Sequence, residues 1–170
     1  MIEIKTKRLL LRPFQSCDFD RAYQLLSDSE VMRYSLNGPY SKQKSRVFID
    51  QCIIKSTKNE LTLFAVIDNK TNLFIGFCGF FPQKIQGKEE IELGYRFLQD
   101  YWGKGVATEA AMAMKNYAFN ERGLTRLISL IEPTNIASVR VAKKNGLRLE
   151  KHMLYDGTIA VDIYAITRLN

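Results

Sequence analysis

The stretch Leu98-Gln99-Asp100-Tyr101-Trp102-Gly103-Lys104-Gly105-Val106-Ala107-Thr108-Glu109-Ala110-Ala111 reads as strand end, tight loop and helix start. A strand closes near Leu98, and Gly103 and Gly105 form the loop. Good helix formers then continue from Val106 through Met112, Met114 and Lys115. The first turn of such a helix leaves backbone N–H groups without intrahelical partners, at the positive end of the helix dipole. That arrangement suits a phosphate, and glycine lets the anion come close to the backbone. A glycine pair before a helix also serves as a plain tight turn, so the flanking chain has to decide between the two.

Outward from this stretch, the pattern alternates strands and helices. Residues 2–13 read as a strand that Pro13 stops, and Asp18 as the cap of a helix carrying Phe19, Ala22, Tyr23 and Leu26 inward. After Asn37-Gly38-Pro39, Ser41 starts a second helix. Strands follow over 61–68, 73–81 and 91–98, and short turns between them predict antiparallel pairing. The glycine-loop helix fills about 106–121, with Gly123 beyond it as a stop. Arg126 to Glu132 is a further strand, Asn135 to Lys144 a short helix, and 147–155 and 158–168 two last strands around Asp156-Gly157. The order βααβββαβαββ specifies an α/β (α+β) domain: a mixed, mostly antiparallel sheet of about seven strands flanked by four helices.

The chain has 170 residues, enough for one domain with a real core, and it carries no repeat or linker-like tract. No apolar run is long enough for a membrane span, and the N-terminus lacks the apolar segment of a signal peptide, so a cytoplasmic protein is expected. Cys17, Cys52 and Cys78 have no Cys-x-x-Cys spacing and are expected as thiols. With His152 the only histidine and no Cys/His cluster, no metal site is expected. The net charge of +7 fits an anionic ligand, a ribosomal partner or merely a solvated basic surface. The charge is dispersed and no RNA-binding aromatic signature accompanies it, so direct nucleic-acid binding is not expected.

Three groups of residues then resemble one family. They are Thr6-Lys7-Arg8-Leu9-Leu10-Leu11-Arg12-Pro13; Glu92-Leu93-Gly94-Tyr95 ahead of Tyr101 to Ala110; and Asn135-Ile136-Ala137-Ser138-Val139-Arg140 with Lys144-Asn145-Gly146. In this order the chain resembles the GNAT superfamily of N-acetyltransferases, RimJ/RimL-like branch, over nearly its full length. The resemblance implies acetyl-CoA as acetyl donor and a sheet splayed between the strands near 91–98 and 126–132. The superfamily's pyrophosphate loop falls on Trp102, Gly103, Lys104, Gly105, Val106 and Ala107. With Trp102 at its first position, backbone amides would do most of the binding, Thr108 adding a hydroxyl and Lys104 charge. Trp102 itself reads as a packing residue that braces the loop. The pantetheine arm would lie in the splay beside the backbone near Phe97, and Asn135 resembles the family's asparagine near the cofactor while also fitting a helix N-cap.

Acetyl transfer to nitrogen needs an uncharged amine, so a base or a proton-conducting water chain is required. Glu92 is the candidate: alternation places it on the opposite strand face from Ile91, Leu93 and Tyr95, although a solvent-facing strand carboxylate reads the same way. Glu89 and Glu90 read as surface charges. The position where many superfamily members carry a tyrosine acid is Ala142 here; the resemblance offers Ser138 instead, which equally fits a first-turn serine bonded to backbone. His152 has no evident partner and Cys78 reads as core, so direct attack in a ternary complex is preferred over a covalent route. The expected function is acetyl transfer to a primary amine, either a protein N-terminus, a ribosomal protein among the candidates, or a small molecule. The alternative is a non-catalytic CoA-binding or ribosome-associated module of the same fold. The acceptor pocket is expected from helices 18–27 and 41–58 and the last hairpin, in a monomer or homodimer.

Overall fold

The computed structural model describes residues 2–168. Its strands are β1 (Ile4–Lys5), β2 (Leu9–Arg12), β3 (Leu63–Asp68), β4 (Leu73–Ile85), β5 (Lys88–Phe97), β6 (Arg126–Ile131), β7 (Arg148–Tyr155) and β8 (Ile159–Thr167). The helices are α1 (Phe19–Ser27), α2 (Lys42–Thr57), α3 (Val106–Asn120) and α4 (Ile136–Lys144). One eight-stranded sheet runs β1-β2-β3-β4-β5-β6-β8-β7, antiparallel at every step except the parallel pair β5–β6.

The continuous apolar run of β3 follows from burial on both of its faces. Leu63, Ala65 and Ile67 face α1 and α2, where Leu25, Leu26, Ile49 and Cys52 meet them. Phe64 and Val66 face α3, packing with Ile75, Phe80, Leu93, Met114 and Tyr117. Past the splay, α4 closes a smaller cluster with Ala142 and Leu147 over Ile131 and Tyr164. β7 is an outer strand, mostly exposed and rich in charge, which blunts edge-to-edge pairing.

Several sequence expectations need correction. The single strand expected over 2–13 is two, because the chain reverses at Thr6–Leu9, where the Thr6 N–H donates to the Leu9 carbonyl at 2.9 Å. This accounts for eight strands rather than about seven. The strands expected over 73–81 and 91–98 run further and meet in a two-residue hairpin at Gln86-Gly87, both at positive φ (50° and 83°). Glu90 lies on this extension and is buried, paired with Arg126 at 3.0 Å; Arg126 in turn holds Glu150 at 2.7 Å. It is not a surface charge. His152 does have a partner, since its Nδ1 lies 2.6 Å from Asp162 on β8.

Asp18 does not cap α1 with its side chain. Its carboxylate is taken in both oxygens by Arg12, at 2.8 Å each, and also accepts the Gln15 N–H. This buried pair fastens the end of β2 to the entry of α1. Asp18→Ala would leave the Arg12 guanidinium buried without its anion, so a loss of about 3 kcal/mol is expected. Urea denaturation should show a lower midpoint at an unchanged slope.

Candidate active site

The parallel contact between β5 and β6 is registered at one position, Glu92 opposite Ile128. One residue further along, the Ser129 hydroxyl rather than a second registered pair bridges the strands, donating to the Leu93 carbonyl at 2.8 Å. Beyond that the strands separate. A cavity of about 260 Å³ fills the gap and draws on both faces of the sheet: Leu93 and Tyr95 from one side of β5, Glu92 and Arg96 from the other. Asn135 and Ser138 of the α4 entry and Tyr155, Ile159 and Val161 of the last hairpin complete it. The opposite wall is the loop between α1 and α2, with Tyr34, Leu36 and Tyr40, rather than those helices themselves. The Tyr34 hydroxyl reaches across and donates to the Thr134 carbonyl at 3.3 Å.

Glu92 is therefore not a solvent-facing carboxylate. Burial pushes its acid strength down, holding its pKa above the ordinary carboxylate range. Hydrogen bonding by Gln83 at 2.7 Å, the nearby Leu130 amide and the charge of Arg96 oppose this only in part. Gln83 fixes the carboxylate's orientation. Tyr95 crosses the gap and donates its hydroxyl to the Ser138 carbonyl at 3.3 Å; burial raises its pKa well above the usual phenol range. Ser138 N–H donates to the Asn135 side chain at 3.2 Å, so Asn135 is the N-cap of α4. Among the described residues the Ser138 hydroxyl makes no bond to its own turn.

Beyond β5, whose residues 92–96 line the cavity, the chain passes through the glycine loop into α3. Gly103 and Gly105 stand in the left-handed region at φ 71° and 75°, a conformation that favours glycine. Gly105 is the N-cap of α3 and no side chain caps the helix. The first helical bond is Glu109 N–H to Gly105 O at 3.1 Å, so the amides of Val106, Ala107 and Thr108 precede the hydrogen-bonded ladder. A side chain at Gly103 would meet nothing within 4 Å. The open space at Gly103, the amides without intrahelical partners and the helix dipole fit an anion such as a diphosphate. Lys104 is exposed, its ammonium 5.7 Å from the Tyr101 ring. Trp102 does brace the loop, but through its indole N–H to the Phe97 carbonyl at 2.8 Å, with the ring half exposed. One lone pair of that carbonyl is thereby used; Phe97 itself is a core side chain.

Two features of the site were missed by the sequence reading. Arg8 grips the loop, its guanidinium donating to the Lys104 carbonyl at 2.8 Å and to Glu109 at 2.6 Å. Glu109 also accepts from the Thr6 hydroxyl and the Arg8 N–H. Burial works against its charge, but these bonds hold Glu109 below the usual carboxylate range. The Thr6-Lys7-Arg8 segment carries a signal for this clamp, since it belongs to the first of the three groups that resemble the family. Gln83 carried none, because the expected strand ended before it.

A model of the GNAT acetyltransferase domain matches residues 8–148. The chain is 37% identical over 149 residues to an uncharacterised N-acetyltransferase, YnaD, of Bacillus subtilis, covering 88% of this chain and 84% of that one. Its fold superposes on a GNAT-family acetyltransferase structure from Bacillus anthracis with TM-score 0.84 and 33% identity, covering 98% of both chains. At 20% identity and TM-score 0.82, the ribosomal L7/L12 α-N-protein acetyltransferase RimL, solved with coenzyme A, shares the fold over 98% of both chains. The splayed sheet and uncapped glycine loop thus belong to an acyltransferase, and the chain is a member of the GNAT acetyltransferase family.

Proposed function

We propose that this protein transfers the acetyl group of acetyl-CoA to a primary amine by direct attack, with both substrates bound together. The observation that carries this reading is the pair of environments that β5 joins. A desolvated, hydrogen-bonded carboxylate sits in the splay at Glu92, and at the end of the same strand the Phe97 carbonyl holds Trp102 of the loop that opens into the uncapped entry of α3. The amides of residues 103–108, with the Thr108 hydroxyl and the Lys104 charge, would hold the diphosphate of the donor. Asn135 and the backbone near Phe97 would flank its pantetheine arm in the gap. The donor supplies an activated acyl carbon bonded to sulfur.

Glu92 then takes a proton from the incoming ammonium or amine, directly or through water, and the N–C bond forms as the C–S bond breaks. A carboxylate with a raised pKa suits that work better than a fully solvated one, because its basicity lies closer to neutral pH. Ser138, on the first turn of α4 and lining the same cavity, is placed to return a proton to the departing sulfur. Its carbonyl is held by Tyr95, which fixes that turn against β5. Neither Cys78, buried and with its thiol pKa pushed up by desolvation, nor His152, paired to Asp162, has a part in this route.

Release of free thiol from acetyl-CoA across a panel of amines tests the reading. Amine-dependent release above the hydrolytic background is expected; CoA binding with background release for every amine would leave a non-catalytic module instead. Gly105→Glu should abolish CoA binding in calorimetry through like charge at the phosphate position. Gly105→Asn, which tolerates left-handed backbone without the charge, should retain more of it. Equal affinity of both variants and wild type would place the diphosphate elsewhere.

For Glu92→Gln, kcat/KM should fall about 10²–10⁴-fold on the high-pH side. Wild type should lose activity as pH drops through the raised Glu92 pKa, and the variant should lack that limb. Replacing a half-buried, desolvated carboxylate with a neutral amide removes a desolvation cost, so Glu92→Gln should melt no lower than wild type at neutral pH. An unchanged pH–rate profile would remove Glu92 as the base.

A further inference from the structure

Arg96 lies on the same face of β5 as Glu92, four residues further along, and lines the cavity. Arginine is charged at every accessible pH and presents five N–H donors. The structure gives this one a single hydrogen bond, to the Val31 carbonyl at 3.3 Å. Among the described residues no carboxylate forms an ion pair with it. Two other part-buried arginines have such partners, Arg12 with Asp18 and Arg126 with Glu90 and Glu150, while Arg21 donates to the Phe74 carbonyl at 2.7 Å and Arg122 to the Asn59 carbonyl at 2.8 Å. Glu92, the nearest acid along the strand, is engaged by Gln83. Burial lowers the Arg96 pKa, and the charge of Glu92 offsets this only in part.

An uncompensated guanidinium is expensive to bury and is usually retained where a ligand completes it. The floor between the two charges is Gly94, and the Phe81 ring packs where a side chain there would stand, 2.7 Å from the ideal Cβ. Phe77 and Tyr40 also line the cavity. The result is an aromatic-walled space with an acid at one end and a free cation at the other.

We infer that Arg96 is a specificity residue that receives an anionic group, in the simplest case a carboxylate, carried by the same acceptor whose amine lies at Glu92. This deepens the transferase reading and rests on it. An acceptor with amine and carboxylate satisfies both ends; a polyamine would bring cation to cation. The carboxylate has two sources, a free amino acid or short peptide, or an acidic side chain near a polypeptide N-terminus.

The test uses matched pairs and reads equilibrium binding by calorimetry on the full chain with CoA present, alongside thiol release. One arm pairs α-amino acids, ω-amino acids and dipeptides with their carboxamides. The other pairs C-amidated tripeptides carrying Asp or Glu at the second or third position with the same peptides carrying Asn or Gln. In at least one arm the carboxylate member should bind about tenfold tighter or more, the scale of a charge-assisted hydrogen-bonded pair, and that arm identifies the source. Arg96→Gln should bring the two members to equal affinity, and Arg96→Lys, which keeps charge without the fork, should leave an intermediate preference. Equal binding of both members in both arms, a preference that survives Arg96→Gln, tighter binding of spermidine than of every carboxylate, or no binding at millimolar concentration in either arm would overturn the inference. A lowered melting temperature with both members weakened alike would show Arg96 to be structural only. Thiol release fails separately: a carboxylate preference in binding with no turnover would leave the anion site standing and sink the transferase reading.

Discussion

Everything about this site depends on a parallel strand pair that holds at one position and then lets go. Parallel neighbours ordinarily run in register and bury their edges. Here β5 and β6 meet at Glu92 and Ile128, the Ser129 hydroxyl makes one more bridge, and then the strands part. Backbone groups past that point need other partners. A gap in the middle of a sheet, with a core on either side, is also withdrawn from bulk water. The carboxylate of Glu92 is desolvated because it stands at the fork, and the charge of Arg96 is costly there for the same reason.

The two helical entries exploit this fork differently. α3 begins with no side-chain cap on a left-handed glycine, leaving its amides available. α4 begins with Asn135 capping through Ser138, so its first turn is closed and rigid. One entry therefore keeps its amides free, while the other is closed on its own N-cap. Tyr95 ties the second to β5, which keeps the width of the gap a property of the fold.

The order of elements was legible in the sequence because each boundary carries local chemistry: Pro13 after β2, Ser41 before α2, Gly123 after α3, Asp156-Gly157 between β7 and β8. The Gln86-Gly87 hairpin escaped because Gln-Gly is a weak turn signal, and with it went the true environments of Gln83 and Glu90. The turn at the glycine loop was legible from two glycines before good helix formers, but its reading as an anion site rested on the flanking motifs, since a plain tight turn has the same local pattern. What pairs with what across the sheet was not. Asp18 read as a cap and is instead Arg12's counter-ion; His152 read as solitary and faces Asp162. Both contacts are short in sequence, six and ten positions apart, but each depends on how the chain turns between the partners and on side-chain direction, which residue type alone does not fix.

The clamp formed by Thr6, Arg8 and Glu109 joins positions about a hundred places apart in the chain, the Arg8 and Glu109 sites being separated by 101. It makes the turn between β1 and β2 a mechanical part of the glycine loop and of the entry to α3. Anything joined to the chain ahead of Ile4 would load the turn between β1 and β2 that steadies Lys104 and the first turn of α3. Biochemistry on this chain is thus best begun with its leading segment unencumbered.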